Sequence, residues 1–229
     1  MIVLLHGFAD SPHTWDLLKP YIGEVMTPAL PGHLGGPPLP RDLDLVGWLE
    51  GVLDEAGLER AHLVGNSLGG YLALALAARG RAETVVALAP AGGSDHAETL
   101  DRQERGVIPL SEFTTRELPE DVKHWLGASF RACDRLPLIA NAREHGWPVD
   151  LSKIRCPVRI LWGMDDQLLR WPDDAERYRR GLDAEWIELD GVGHAPQLDI
   201  PLETAQLILG FTTARIASSS GPSSSPFSR

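Results

Sequence analysis

Cysteine, positive charge and long apolar runs are all scarce in this chain, and each shortage narrows what the protein can be. The two cysteines, Cys133 and Cys156, have neither metal-ligand nor redox-motif spacing, so they read as thiols in a reducing compartment rather than as part of a disulfide scaffold. Lys and Arg number 21 against 32 Asp and Glu. The resulting formal charge of −11, with no Lys/Arg cluster to offset it, argues against nucleic acid and anionic membrane surfaces as partners. No run approaches the roughly 18 apolar residues of a membrane-spanning helix. Met1–Leu5 is too short for a signal peptide and lacks a basic lead-in and a small-residue cleavage site. His-x-His, His-Glu-x-x-His and Cys/His clusters are missing, as are a Walker pattern and a G-x-G-x-x-G after the first strand, so neither a metal nor another cofactor is expected. What remains is a cytoplasmic protein of ordinary globular composition, with 43% hydrophobic and 23% charged residues. Its 229 residues suffice for one core carrying an insertion.

Short β-prone runs alternate with helical patterns through the first ninety residues or so. Ile2 to Leu5 reads as a buried strand ending in His6-Gly7-Phe8, and Ser11-Pro12-His13-Thr14-Trp15 opens a short helix with Thr14 as its N-cap. Glu24 to Thr27 is a weak second strand running into a Gly- and Pro-rich loop from Pro28 to Pro38. Leu45, Val46, Leu49, Val52 and Leu53 recur at helical spacing, and Gly57 stops that helix. Thr84 to Ala89 is another buried strand closed by Pro90. Such alternation implies βα units on a mostly parallel sheet covered by helices on both faces. Between 91 and 154 the rhythm fails, and only short helical stretches near 95 to 106, 119 to 132 and 134 to 144 are supported. This reads as a helical lid inserted into a core made of 1–90 and 155–217. Strands at Val158–Trp162 and Glu185–Leu189 and helices at Asp173–Gly181 and Leu202–Phe211 complete that core. The tail at 218–229 is nearly all Ser, Pro and Gly and is expected to be disordered.

The stretch that organises the rest is Gly65-Asn66-Ser67-Leu68-Gly69-Gly70. It fits G-x-S-x-G, sits between the β-run ending in Leu63-Val64 and the Ala/Leu-rich helix from Leu68 to Ala78, and so places Ser67 on a strand-to-helix turn. A serine hydroxyl is a poor nucleophile unless a base, a carboxylate orienting that base and donors for an oxyanion are supplied. Asp165-Asp166 follows one late strand and His194 the next, so these side chains share the carboxyl edge of the sheet with Ser67. Loop capping remains the other reading of the two aspartates.

Taken together, His6-Gly7-Phe8, Pro31-Gly32-His33, Gly65-Asn66-Ser67-Leu68-Gly69-Gly70, Leu161-Trp162-Gly163-Met164-Asp165-Asp166 and Gly193-His194-Ala195-Pro196 resemble the α/β-hydrolase superfamily in content and order, from Leu4 to about Phe211. The resemblance implies an α/β-hydrolase fold, carries the acid role onto Asp166 and makes Ser67, Asp166 and His194 a catalytic triad. It also assigns the oxyanion hole to the backbone N–H groups of Phe8 and Leu68, with His6 and His33 structural. Two departures stand out. The antiparallel strands that usually precede the His-Gly strand are absent, so the fold is trimmed or its N-terminal strands are missing, and Ala29-Leu30 replaces the usual acidic residue before Pro-Gly-His.

The implied activity is a serine hydrolase acting through an acyl-enzyme, and the short insertion points to a small or medium carboxylic ester as the small-molecule substrate. Phe113, Trp125, Phe130 and Trp147 in the insertion are candidate pocket walls or else packing residues. Arg131 and Arg135 are candidates to meet a substrate carboxylate or else lie on a solvated helix face. A carbon-carbon bond hydrolase or lyase with the same triad, and a non-catalytic receptor on the same fold, are the competing readings. The oligomeric state is left open.

Overall fold

The computed structural model describes residues 1–94, 96–106 and 108–219. The apolar runs become six strands: β1 (Ile2–Leu5), β2 (Val25–Met26), β3 (Ala61–Asn66), β4 (Ala82–Leu88), β5 (Val158–Gly163) and β6 (Glu185–Leu189). They form one sheet in the order β2-β1-β3-β4-β5-β6, with every pairing parallel. Leu5, Gly65, Ala87 and Ile160 lie side by side across its four central strands. Because all strands point the same way, the loops at their carboxyl ends gather along a single edge.

Alternate strand residues feed two cores. Leu63, Val85, Ile160 and Trp162 pack towards α2 (Leu45–Glu55) and α3 (Leu68–Ala78), whereas Val64, Val86, Leu88 and Leu161 face α1 (Lys19–Ile22) and α9 (Pro201–Ser219). Burial on both faces is why these strands read as unbroken apolar runs. Residues Leu68 to Ala77 of α3 are all buried, which matches a helix that is apolar on every side.

Between β4 and β5 lie α4 (Ala97–Arg105), α5 (Glu120–Ala132) and α6 (Arg135–His145), the three helical stretches read from the sequence. After β5 comes a 3₁₀ turn, Asp173–Ala175, running into α7 (Glu176–Gly181), and after β6 the short α8 (Pro196–Asp199).

Local expectations need three corrections. Pro12 occupies the first helical position, so the helix after β1 is a 3₁₀ helix, Pro12–Trp15, with Ser11 and not Thr14 at its cap. Thr14 lies inside it, fully buried, its hydroxyl accepting a hydrogen bond from Gln197 Nε2 at 3.0 Å. The weak second strand shrinks to two residues paired only with β1, which leaves it at the sheet edge. The closing helix runs on to Ser219, and the remainder of the Ser/Pro-rich tail lies outside the described residues. Among the described residues no helix is long and apolar enough to cross a membrane.

The approach of α3 to the sheet is close enough to exclude side chains. A Cβ on Gly65 would stand 2.2 Å from the Gly69 carbonyl oxygen, and one on Gly69 would stand 2.1 Å from that of Leu5. Gly51, in the interior of α2, has nothing within 4 Å of such an atom. Gly65→Ala should therefore lower stability by about 3 kcal/mol or more. Gly51→Ala should raise it by about 0.5–1 kcal/mol. Thermal melts of the two variants check both signs.

Candidate active site

Ser67 follows the last residue of β3 and caps α3 with φ 54° and ψ −117°, a backbone region that L-residues seldom occupy. Backbone bonds hold it there. Its N–H donates to Leu88 O at 2.9 Å, and its carbonyl accepts from Tyr71 N–H and Ala91 N–H, each at 3.0 Å. The preceding Asn66 ties the turn to its surroundings: its Nδ2 donates to His194 O at 2.9 Å and to Leu88 O at 3.2 Å.

Asp166 and His194 meet behind this turn. Asp166 is 2% exposed, and its Oδ1 accepts from the N–H groups of Leu168 and Leu169 at 2.8 and 2.9 Å. Its Oδ2 accepts from His194 Nδ1 at 2.7 Å. An ionised carboxylate can only accept, so the Nδ1 proton belongs to the histidine and Nε2 carries the lone pair. Asp165 is exposed, which separates the two adjacent aspartates. Ser67 and His194 line one cavity, although no hydrogen bond joins Ser67 Oγ to His194 among the described residues.

Two cavities open at Ser67, and Phe8, Leu169, Thr99 and Gln103 border both. The first, of about 320 Å³, has walls that include Leu68, Tyr71, Leu138, Ile139, Ala142 and Trp147. The second, of about 340 Å³, reaches His194, Asn66, Phe113, Leu126, Phe130 and Arg131. Both are within the size range of small-molecule sites. The N–H groups of Phe8 and Leu68 are free of backbone carbonyl partners among the described residues.

Of the four aromatic residues singled out in the insertion, Trp147 lines the first cavity, edge-on to Tyr71 with ring centroids 5.0 Å apart. Phe113 and Phe130 line the second, and the Phe113 ring meets His194 edge-on at 6.2 Å. Trp125 lies outside both, packed against Leu118, Val122, Ala195 and Leu198 and tilted over His13. Arg131 borders the second cavity, whereas Arg135 lies over the Phe130 ring and donates to the Phe130 carbonyl.

Structural roles fall to the histidines nearby. His6 Nε2 accepts from Leu30 N–H at 3.0 Å, pinning the loop from Pro28 to β1, and burial with His33 alongside pushes its pKa down to about 3. Burial likewise lowers that of His33. His96 Nε2 accepts from Gly92 N–H at 2.7 Å, and this ring borders the first cavity. Both cysteines are free, and burial pushes the thiols of Cys133 and Cys156 up to about 12 and 11. Among the described residues no three His, Cys, Asp or Glu side chains converge as a metal ion would require.

Sequence reasoning missed Tyr71, whose apolar helical setting reads as core, and Asp10. Asp10 lines the second cavity in the loop after β1, and loss of water around it pushes its carboxyl up to about 7 against the lowering effect of Ser11 N–H and the Thr14 hydroxyl. Its position immediately beyond a strand's carboxyl end was the available signal.

Residues 2–207 match the model of the Alpha/beta hydrolase family. The chain is 31% identical to a pimeloyl-[acyl-carrier protein] methyl ester esterase of Aromatoleum aromaticum, over 90% of this chain and 96% of that protein. Among solved structures it resembles a membrane phospholipase A described as a bacterial virulence factor, with TM-score 0.78, 25% identity and coverage of 94% and 79% of the two chains. A putative lipase from Acinetobacter baumannii shares the fold with TM-score 0.79, 21% identity and coverage of 95% and 84%.

The raised pKa of Asp10 has a thermodynamic sign. As pH rises from about 4 to 7 the unfolded chain gives up this proton while the folded chain keeps it, so the group's stabilising contribution shrinks and is lost above about 7. Asp10→Asn should consequently melt a few degrees above the parent near pH 8, and the two should converge towards pH 4. A variant that melts lower at the alkaline end would show the carboxylate to be stabilising.

Proposed function

The chain belongs to the alpha/beta hydrolase family, and from that membership we propose that it is a serine hydrolase cleaving a small or medium carboxylic ester through an acyl-enzyme. Ser67 is the nucleophile, His194 its base and Asp166 the carboxylate that orients the imidazole and stabilises its charged form. The observation that carries the reading is the meeting of two cavities at Ser67 when the ring of His194 borders just one of them.

The steps follow from that placement. His194 Nε2 takes the Ser67 hydroxyl proton as Oγ bonds to the ester carbonyl carbon, and the N–H groups of Phe8 and Leu68 receive the oxyanion. Collapse of the tetrahedral species breaks the bond to the leaving oxygen, which accepts the proton from His194. Water then attacks the acyl-enzyme, losing its proton to His194, and the carboxylic acid departs as Ser67 regains a proton. A leaving oxygen protonated by His194 must lie on the side of that ring. The alcohol portion therefore occupies the second cavity and the acyl chain the first, among Tyr71, Leu138, Ile139 and Trp147. Catalytic hydrogen bonds are often long in free enzymes and tighten on the substrate, so the unmade Ser67–His194 bond is compatible with these roles. The similarity to a methyl ester esterase favours esters over other acyl compounds.

Ser67→Ala should lower ester turnover by about 10⁴-fold or more and abolish labelling by a fluorophosphonate probe. Labelling that survives in this variant removes the nucleophile. Ala142→Phe, which fills the first cavity, should cut kcat/KM for an octanoyl ester about tenfold more than for an acetyl ester of the same alcohol. An equal loss for both would move the acyl chain out of that cavity.

A further inference from the structure

Among the described residues one carboxyl lines the second cavity, that of Asp10. Its position is fixed from behind. Ser11 N–H donates to Asp10 Oδ1 at 2.8 Å, and the nearby Thr14 hydroxyl lowers the pKa of the same carboxyl. Gln197 Nε2 donates to Thr14 Oγ1 at 3.0 Å and to Asn66 Oδ1 at 3.2 Å. Beside it a buried chain of bonds runs from Thr14 through Gln197 to Asn66, the neighbour of Ser67, and on to the His194 carbonyl.

On the cavity side nothing comparable exists. Among the described residues Asp10 has no ion-pair partner, and His194 and His13 are the charged or chargeable groups that act on it through space. Lys123 and Arg131 of α5 border the same cavity, but the Lys123 ammonium is taken up by Glu117 and Glu120. A carboxylate offers about four acceptor sites, of which the Ser11 N–H fills one. A departing group that enters the cavity keeps water from the others. A plain alkyl group leaves those acceptors bare, whereas one carrying a hydroxyl restores the lost bond. Sites built this way discriminate strongly against analogues that lack the polar group.

We infer that Asp10 selects the leaving group, and that the substrate is an ester of an alcohol bearing a second hydroxyl that donates to the Asp10 carboxyl. This rests on the acyl-transfer reading and on placement of the alcohol beside His194. It also accounts for a carboxyl kept where burial works against its ionisation, at a cost to the fold that a polar ligand offsets.

A matched pair of esters tests it, 3-hydroxypropyl butyrate against n-propyl butyrate, with fluorophosphonate labelling of the same preparations. The parent should favour the hydroxyl ester in kcat/KM by about tenfold or more. Asp10→Ala should lose rate on the hydroxyl ester and gain on the propyl ester, bringing the ratio to within about twofold of one. Asp10→Asn, which retains an acceptor oxygen, should keep part of the preference. A merely structural role would depress both esters together and leave the ratio as in the parent, which overturns the assignment. A parent that labels with the probe yet shows no preference, or cleaves neither ester, overturns it too while the nucleophile stands. A parent that neither labels nor cleaves overturns the acyl-transfer reading, and the role of Asp10 falls with it.

Discussion

A carboxylate sealed from solvent, with no Lys or Arg paired to it among the described residues, is the constraint on which this site depends. Asp166 meets that constraint with three N–H donors, two from the backbone of Leu168 and Leu169 and one from the His194 ring. Those bonds fix more than a charge. They set the tautomer of the imidazole, turn its free nitrogen towards the cavity and hold together the loops after β5 and β6. Close backbone contact between the two loops is part of the same arrangement, since a Cβ on Gly163 would lie 2.2 Å from the Gly193 carbonyl oxygen.

Much of this architecture could be read from the residues because parallel strands buried on both faces leave a strong imprint. The runs Ile2–Leu5, Thr84–Ala89, Val158–Trp162 and Glu185–Leu189 mark strands to within a few residues, and the breaks in periodicity between 91 and 154 mark three helices. Strand-end position brings the Asp165-Asp166 pair towards His194, and the family resemblance picks out Asp166 of the two. Cavity walls were less legible. Trp125 and Trp147 carry the same chemistry on the same insertion, yet one packs against α8 residues and the other faces Tyr71. Which way a large ring turns depends on how helices cross, and a sequence does not advertise crossing angles. Thr14 was misplaced for a different reason: Pro12 set the start of the helix, and the threonine hydroxyl was already committed to Gln197.

Rigid and permissive parts of the molecule are divided accordingly. The turn around Ser67 has no room for change, with Gly65 and Gly69 pressed against carbonyl oxygens and Ser67 itself at positive φ. Such strain persists only where surrounding bonds over-determine the backbone, as Leu88, Tyr71 and Ala91 do here. Asp10 faces the cavity beside this rigid group, its carboxyl held by the Ser11 N–H.

Part of the wall of both cavities comes from α4, α5 and α6, a stretch of chain that enters after β4 and leaves before β5. None of Ser67, Asp166 or His194 is carried on it. Descendants of such a gene can therefore trade, lengthen or re-sculpt that stretch, while the strand-end loops that carry Ser67, Asp166 and His194 pass through the exchange untouched.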